Sequence, residues 1–239
     1  MLTGTKQIAS SDWGVIASSQ LESLGSKSYT SDGREFRYGL AGATALGIGK
    51  LTKPSAVEAN HQNVAVAVAA AAGSLTVTVT LGATAATANQ YAGGYLGIYD
   101  SAGAGASYLI VGHPAAASSG SLVVTLVEPI TTALTTSSKA NLTVNPYGGL
   151  IATAAVIDTP QGVPGIAITA AYYGWIQTRG IAQVLVSATP PTVGLGMTAS
   201  ATAGAADIEL AASVGYRIGY AYNQTAVSGK YSTVNLTII

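Results

Sequence analysis

Histidine is the side chain best suited to acid–base or metal chemistry near neutral pH, and this 239-residue chain has two, His61 and His113. A zinc site or a catalytic base built on them needs both imidazoles to converge with carboxylates. His61 lies in the polar run ANHQN, and His113 precedes Pro114 in the turn-like VGHPAA. Each therefore reads as a structural or solvent-facing residue. Gly47-Ile48-Gly49-Lys50 has the ending of a phosphate loop, but that pattern needs Gly at 44 and Ser or Thr at 51. The chain has Thr44 and Leu51 instead. Gly103-Ala104-Gly105 supplies two of the three glycines of a dinucleotide-binding turn, with no helix to follow. Asp207 and Glu209 would share one face of a short strand, where an exposed edge pair is the simpler reading than acid–base work. No Gly-x-Ser-x-Gly elbow and no calcium-loop spacing occurs. With no cysteine there is neither a disulfide framework nor thiolate chemistry. The expectation is a protein that is not an enzyme and uses no cofactor or metal.

The elements that would position these residues are strands. Residues 64–83, VAVAVAAAAGSLTVTVTLGA, are long and apolar enough to suggest a membrane span. However, Gly73-Ser74 splits the run, and Thr76, Thr78 and Thr80 alternate with Val77, Val79 and Leu81, a period of two. Strands are expected at 63–70, 74–81, 95–99, 107–112, 121–127, 140–145, 149–157, 165–177, 181–187, 207–211, 216–222 and 231–238. Gly, Pro and Ser punctuate them. A short helix is expected around 129–137, with Pro129 in its first turn. In YYGWIQTRGIAQVLV, residues 172–186, Arg179-Gly180 reads as the return of a central hairpin, with Trp175 as a core anchor. The fold class is all-β: a sandwich or barrel body of many short antiparallel strands, with an N-terminal arm or hairpin.

Charge divides the chain. Charged residues are 8% of it, against about 25% in ordinary soluble proteins, and ten bases balance ten acids. No basic excess invites nucleic acid. Eleven of the twenty charges precede residue 59. An N-terminal segment, 1–58, is therefore set apart from a β-rich middle block, 59–145, and a C-terminal block, 146–239; the last two could form one domain. Within the first segment, SKSYTSDGREFRYG reads as a hairpin turning at Asp32-Gly33. No export signal is visible in MLTGTKQIASSDWG, so the expected site of synthesis is the cytoplasm.

Such a surface, rich in Thr, Ser, Ala and Gly, is wetted without charge, but near-zero net charge favours association. Few lysines guard the sheet edges. A subunit of a large ordered assembly resolves the conflict, because its edges and faces are covered by neighbours. Thirteen tyrosines against one phenylalanine fit subunit contacts, or simply strand positions.

DGREFRYGLAGATALGIGKL, residues 32–51, resembles the opening of the tailed-bacteriophage capsid decoration, or cement, proteins. The run from Gly93 to Leu134 is similar to their central segment. NPYGGLIATAA (145–155), YYGWIQTRGIAQVLV (172–186) and the closing residues 214–239 resemble the remainder, in the same order. The resemblance covers most of the chain, through glycine, aromatic and apolar placements. It implies a non-enzymatic virion protein on the outer capsid surface, trimeric at local three-fold positions. Its partners would be the major capsid protein and copies of itself, with no nucleic acid and no membrane. It supplies no contact residue. From the residues themselves, the charged segment 1–58 is expected to reach a neighbour or the shell, with Trp13, Arg34, Phe36, Arg37 and Tyr38 as interaction candidates. The alternatives are a tail or fibre component and a carbohydrate-binding β-sandwich presenting exposed Trp and Tyr.

Overall fold

The computed structural model describes residues 6–8, 12–187, 191–209, 215–223 and 229–238. The chain is all-β and falls into two compact units. Residues 1–55 and 146–239 form the larger one, and residues 56–145 form the other as an insertion. Among the described residues no helix is long and apolar enough to cross a membrane.

The chain starts with β1 (Lys6–Gln7), β2 (Lys27–Tyr29), β3 (Glu35–Leu40) and β4 (Thr52–Lys53). β2 and β3 are the hairpin read at Asp32-Gly33. Gly33 takes φ +84°, and the loop closes through Thr30 N–H to Arg34 O and Gly33 N–H to Thr30 O, both 3.0 Å. The hairpin is part of the larger unit's sheet. β3 pairs antiparallel with a later strand, Leu40 opposite Tyr173 and Phe36 opposite Gln177, so of the two readings, arm or hairpin, the hairpin is the one that forms.

The insertion contains β5 (Val64–Val66), β6 (Thr76–Thr80), β7 (Tyr95–Asp100), β8 (Ser107–Gly112), β9 (Ser121–Leu126) and β10 (Lys139–Thr143). They close into an antiparallel barrel in the order β10-β5-β6-β9-β8-β7. Alternation dictates the core: Leu122, Val124 and Leu126 of β9 point inward, while Ser121, Val123 and Thr125 do not. Val77, Val79, Leu96, Ile98, Ile110 and Leu142 complete the packing. The expected helix at 129–137 does not form. Its backbone pairs instead with residues 70–74: Ile130 N–H donates to Ser74 O, and Ala70 and Leu134 exchange two bonds. Those bonds let Ile130 and Leu134 enter the barrel core.

The chain returns through β11 (Ile151–Ala152), β12 (Val163–Pro164), β13 (Tyr173–Leu185), β14 (Gly196–Ala199), β15 (Ala206–Ile208), β16 (Arg217–Ala221) and β17 (Tyr231–Thr237). β11 pairs antiparallel with β4, Ile151 opposite Lys53 and Ala152 opposite Thr52, within the larger unit. Asp158 braces that strand pair. It accepts from Ala154 and Ala155 N–H and pairs with Lys53 Nζ at 2.8 Å. Burial alone would raise its pKa, but those partners outweigh it and hold the carboxyl below its usual range.

β13 runs unbroken through Arg179-Gly180, so the expected central hairpin is absent. Its first half pairs with β3 and its second half with β17. The register against β3 shifts between Gln177 and Arg179, with Thr178 as the extra residue of a bulge, and Gly180, at φ +83°, stays in the ladder opposite Leu236 instead of turning the chain. Beyond β17 the sheet continues through β16, β14 and β15, and curls until Val186 bridges Ala206 in parallel. The curled sheet encloses Leu51, Val184, Met197, Ile218, Val234 and Leu236. The two-residue β12 and the strand β14 were not expected from the sequence. Of the expected strand 149–157, Ile151–Ala152 forms a strand and Leu150 bridges Ala41, and Asp158 caps the loop that follows. Residues 210–211, Pro190 and Ser228 of the sequence reading lie outside the described residues.

Two outcomes are expected. Residues 56–145, expressed alone, should unfold cooperatively in urea, since the barrel has its own closed ladder and core; a non-cooperative transition would contradict its independence. Gly180→Ala should cost about 1–3 kcal/mol by urea unfolding, because alanine is strained at positive φ. Its methyl would also sit 3.1 Å from Arg34 Cγ.

Candidate interaction surface

The sequence-derived candidates alternate along β3, and that alternation separates them. Phe36 and Tyr38 point into the larger unit, at 0% and 2% exposure, and pack with Ile8 and Trp175. Tyr38 stands edge-on to Trp175, ring centroids 5.0 Å apart, and stacks on Tyr173. As interaction residues these two are corrected: they are core. Trp175, read as a core anchor, is buried there.

Trp13 and Arg34 reach the margin of that cluster. Trp13 stacks on Phe36 with ring planes 9° apart, and the Arg34 guanidinium lies 5.4 Å from the Trp13 centroid and 5.6 Å from that of Phe36. Asp32 Oδ2 accepts from Arg34 Nε at 2.8 Å and fixes the guanidinium. The ring is admitted by Gly165, where a Cβ would fall 2.5 Å from Trp13. Together with Ile48, Pro164, Gln177 and Gln183 these residues line a cleft of about 280 Å³. Gln177 is buried, and its amide nitrogen donates to both Arg179 O and Ile181 O across the bulge.

Arg37 is on the opposite face of β3, with Glu35. Glu35 pairs with Lys27 at 2.8 Å and with Arg179 at 3.6 Å. The hydrogen bond from Lys27 is the main cause holding the Glu35 carboxyl below its usual range; burial opposes it, and the charges of Lys27 and Arg179 add to it. Arg37 donates to Gly25 O at 2.9 Å and lies over the Tyr147 ring. Lys27, Glu35 and Arg179 were not among the sequence candidates. The signal was present in the period-two alternation Glu35-Phe36-Arg37-Tyr38, which makes the charged face the wet one, and in Arg179, the only charge between Asp158 and Asp207.

The two histidines do converge, but on a tyrosine. His61 and His113 flank Tyr91 with ring centroids 5.6 Å away on each side, and all three are buried. Hydrogen bonding sets both tautomers. The Tyr91 N–H donates to His113 Nε2 at 3.0 Å, so His113 holds its proton on Nδ1 and gives it to Pro114 O at 2.8 Å. His61 Nε2 faces Thr84 O at 2.9 Å and must donate, which leaves Nδ1 to accept from the Tyr91 hydroxyl. Burial, with a smaller contribution from Glu58, pushes Tyr91 up to about 12, so its hydroxyl stays a donor. This is a saturated internal network with no place for a substrate.

The other sequence motifs resolve as structure. Gly47–Lys50 is a tight turn, with Lys50 N–H donating to Gly47 O and Gly49 N–H to Pro164 O. Gly103 and Gly105, at φ +81° and +90°, form the turn between β7 and β8. Asp207 accepts from Ser187 Oγ, whereas Glu209 pairs with Arg217, so the two acids serve separate partners. Among the described residues no three His, Asp or Glu side chains group to hold a metal ion.

Seven tyrosines are exposed: Tyr29, Tyr95, Tyr99, Tyr216, Tyr220, Tyr222 and Tyr231. On the barrel, Tyr95, Gly97 and Tyr99 of β7, Ser107, Leu109 and Val111 of β8, and Ser121, Val123 and Thr125 of β9 face outward without a charge among them. Tyr95 is directly opposite Leu109, and Val127 N–H bonds to Leu109 O, so Tyr95, Leu109 and Val127 form one apolar row. No family model, no curated protein and no solved structure matches the chain.

The histidine network yields its own test. Nitrogen-15 spectra should show His113 protonated at Nδ1 and His61 at Nε2. Tyr91→Phe should cost about 1–3 kcal/mol, by leaving a buried imidazole nitrogen unpaired. Averaged tautomers and an unchanged stability would contradict the assignment.

Proposed function

We propose that this chain is a structural protein of a tailed-bacteriophage virion, decorating the outer capsid surface and stabilising it through contacts with the shell subunit and with copies of itself. The carrying observation is an exposed surface rich in tyrosine in a chain of which charged residues are only 8%. Seven of thirteen tyrosines are exposed, whereas the single phenylalanine is wholly buried. A tyrosine on the surface offers a broad apolar face at little entropic cost and a polar tip that tolerates water before assembly. Individually weak contacts of this kind suffice when many copies act together. The resemblance of residues 32–51, 93–134 and 172–186 to cement proteins points to the same use.

The binding-module reading gains no support from the tryptophans. Trp175 is buried and Trp13 is stacked on Phe36 beneath Arg34, so neither offers the open ring face on which a sugar would stack. Light scattering of the purified chain, alone and mixed with empty expanded shells of its phage, tests the proposal. The expected result is an oligomer that joins the shells. A monodisperse single subunit that ignores them would overturn it.

A further inference from the structure

We propose that the cleft formed by Lys27 of β2, Arg37 of β3 and Arg179 of β13 binds a carboxylate carried by an acidic segment of a partner protein. The inference rests on the capsid reading only for the partner's identity, which on that reading is the shell subunit. Lys27, Glu35, Arg37, Thr178, Arg179 and Ile238 line this cleft of about 220 Å³. Among the described residues of the lining three cations thus face one acid, in a chain with only ten basic residues in all.

The placement is costly for folding. Lys27 and Arg37 are direct cross-strand partners, and like charges directly opposite one another destabilise a sheet. Internal compensation is incomplete. Glu35 serves Lys27 and Arg179, whereas Arg37 receives a carbonyl oxygen and an aromatic face. Among the described residues Arg37 pairs with no carboxylate. A local choice that works against the fold without an evident gain points to function.

The chemistry of the cleft selects the occupant. The Gly25 carbonyl and the Tyr147 ring orient the Arg37 guanidinium while engaging only one of its terminal nitrogens. The planar fork that remains matches a carboxylate in bidentate geometry. Thr178, whose hydroxyl donates to Glu35 O at 3.4 Å, and Ile238, an apolar wall, complete the lining of the same cleft. The volume suits one acidic side chain with its flanking main chain. A nucleic acid would need a cationic track, and the chain's net charge of zero provides no long-range attraction for a polyanion.

The test is titration of the full-length chain with an acetylated hexaglutamate peptide at low salt, followed by calorimetry and by the arginine side-chain NMR signals. Saturable binding that shifts Arg37 and Arg179 is expected. Arg37→Gln should weaken it by about tenfold or more, the loss of one charge-assisted contact. Lys139→Gln, on the barrel, should leave it unchanged. Glu35→Gln should strengthen binding by removing the internal competitor, an effect that misfolding cannot mimic. Absent binding, equal binding by wild type and Arg37→Gln, or weaker binding by Glu35→Gln would overturn the proposal. So would tighter binding of a thymidine hexanucleotide than of the peptide. No shell is present in this assay, so its result is independent of whether the protein decorates a capsid.

Discussion

The hydrogen-bond ladders of β13 are the constraint on which the larger unit depends. One 13-residue strand has to give its first half to the N-terminal hairpin and its second half to β17. A regular strand would keep the same twist and register through both pairings. The bulge at Gln177–Arg179 and the left-handed backbone of Gly180 break that register once, and the buried Gln177 amide spans the break by bonding carbonyls on its far side. From this adjustment follow the packing of Phe36 and Tyr38 against Trp175, the close approach of Arg34 to Gly180, and the meeting of Glu35 with Arg179. The aromatic core on one side of β3 and the charged cleft on the other are two consequences of the same pairing.

Charge is used locally in this protein, at joints. Lys53 and Asp158 brace the β4–β11 pair, Asp32 and Arg34 brace the hairpin turn, and Glu209 and Arg217 tie the segment after β15 to β16. The barrel has almost none of it: its outward rows on β7, β8 and β9 are Tyr, Leu, Val, Ser, Thr and Gly. A free protein with such faces has little to oppose association. A subunit that is always surrounded by other protein has no such difficulty, and there the same faces become contact area that salt does little to weaken.

Much of the barrel was legible in the sequence, because strict alternation such as TVTVT and SLVVTL states both the strand and its buried face. Asp32-Gly33 likewise announced its turn, since only a residue free of a Cβ takes φ +84° without strain. Long-range pairings were not legible. Arg179-Gly180 has the local signature of a turn, and only the distant β3 and β17 decide that the strand runs on through it. Period two split β3 into two faces, but did not say that the aromatic face would be covered by Ile8 and Trp175, which made Phe36 and Tyr38 look like contact residues. His61, Tyr91 and His113 meet across 30 and 22 residues of chain, and no local pattern records such a meeting.

The central claim is that the exposed, tyrosine-bearing surface is covered by other protein in the proposed working state. Hydroxyl-radical labelling, with readout at each tyrosine, tests it most directly when the free chain is compared with the chain mixed with the particle proposed to carry it. The account predicts that labelling at Tyr95 and Tyr99, or at Tyr216, Tyr220, Tyr222 and Tyr231, falls several-fold on the particle. Buried Tyr38 and Tyr91 should stay unreactive in both states. Undiminished labelling of all the exposed tyrosines on the particle would contradict it.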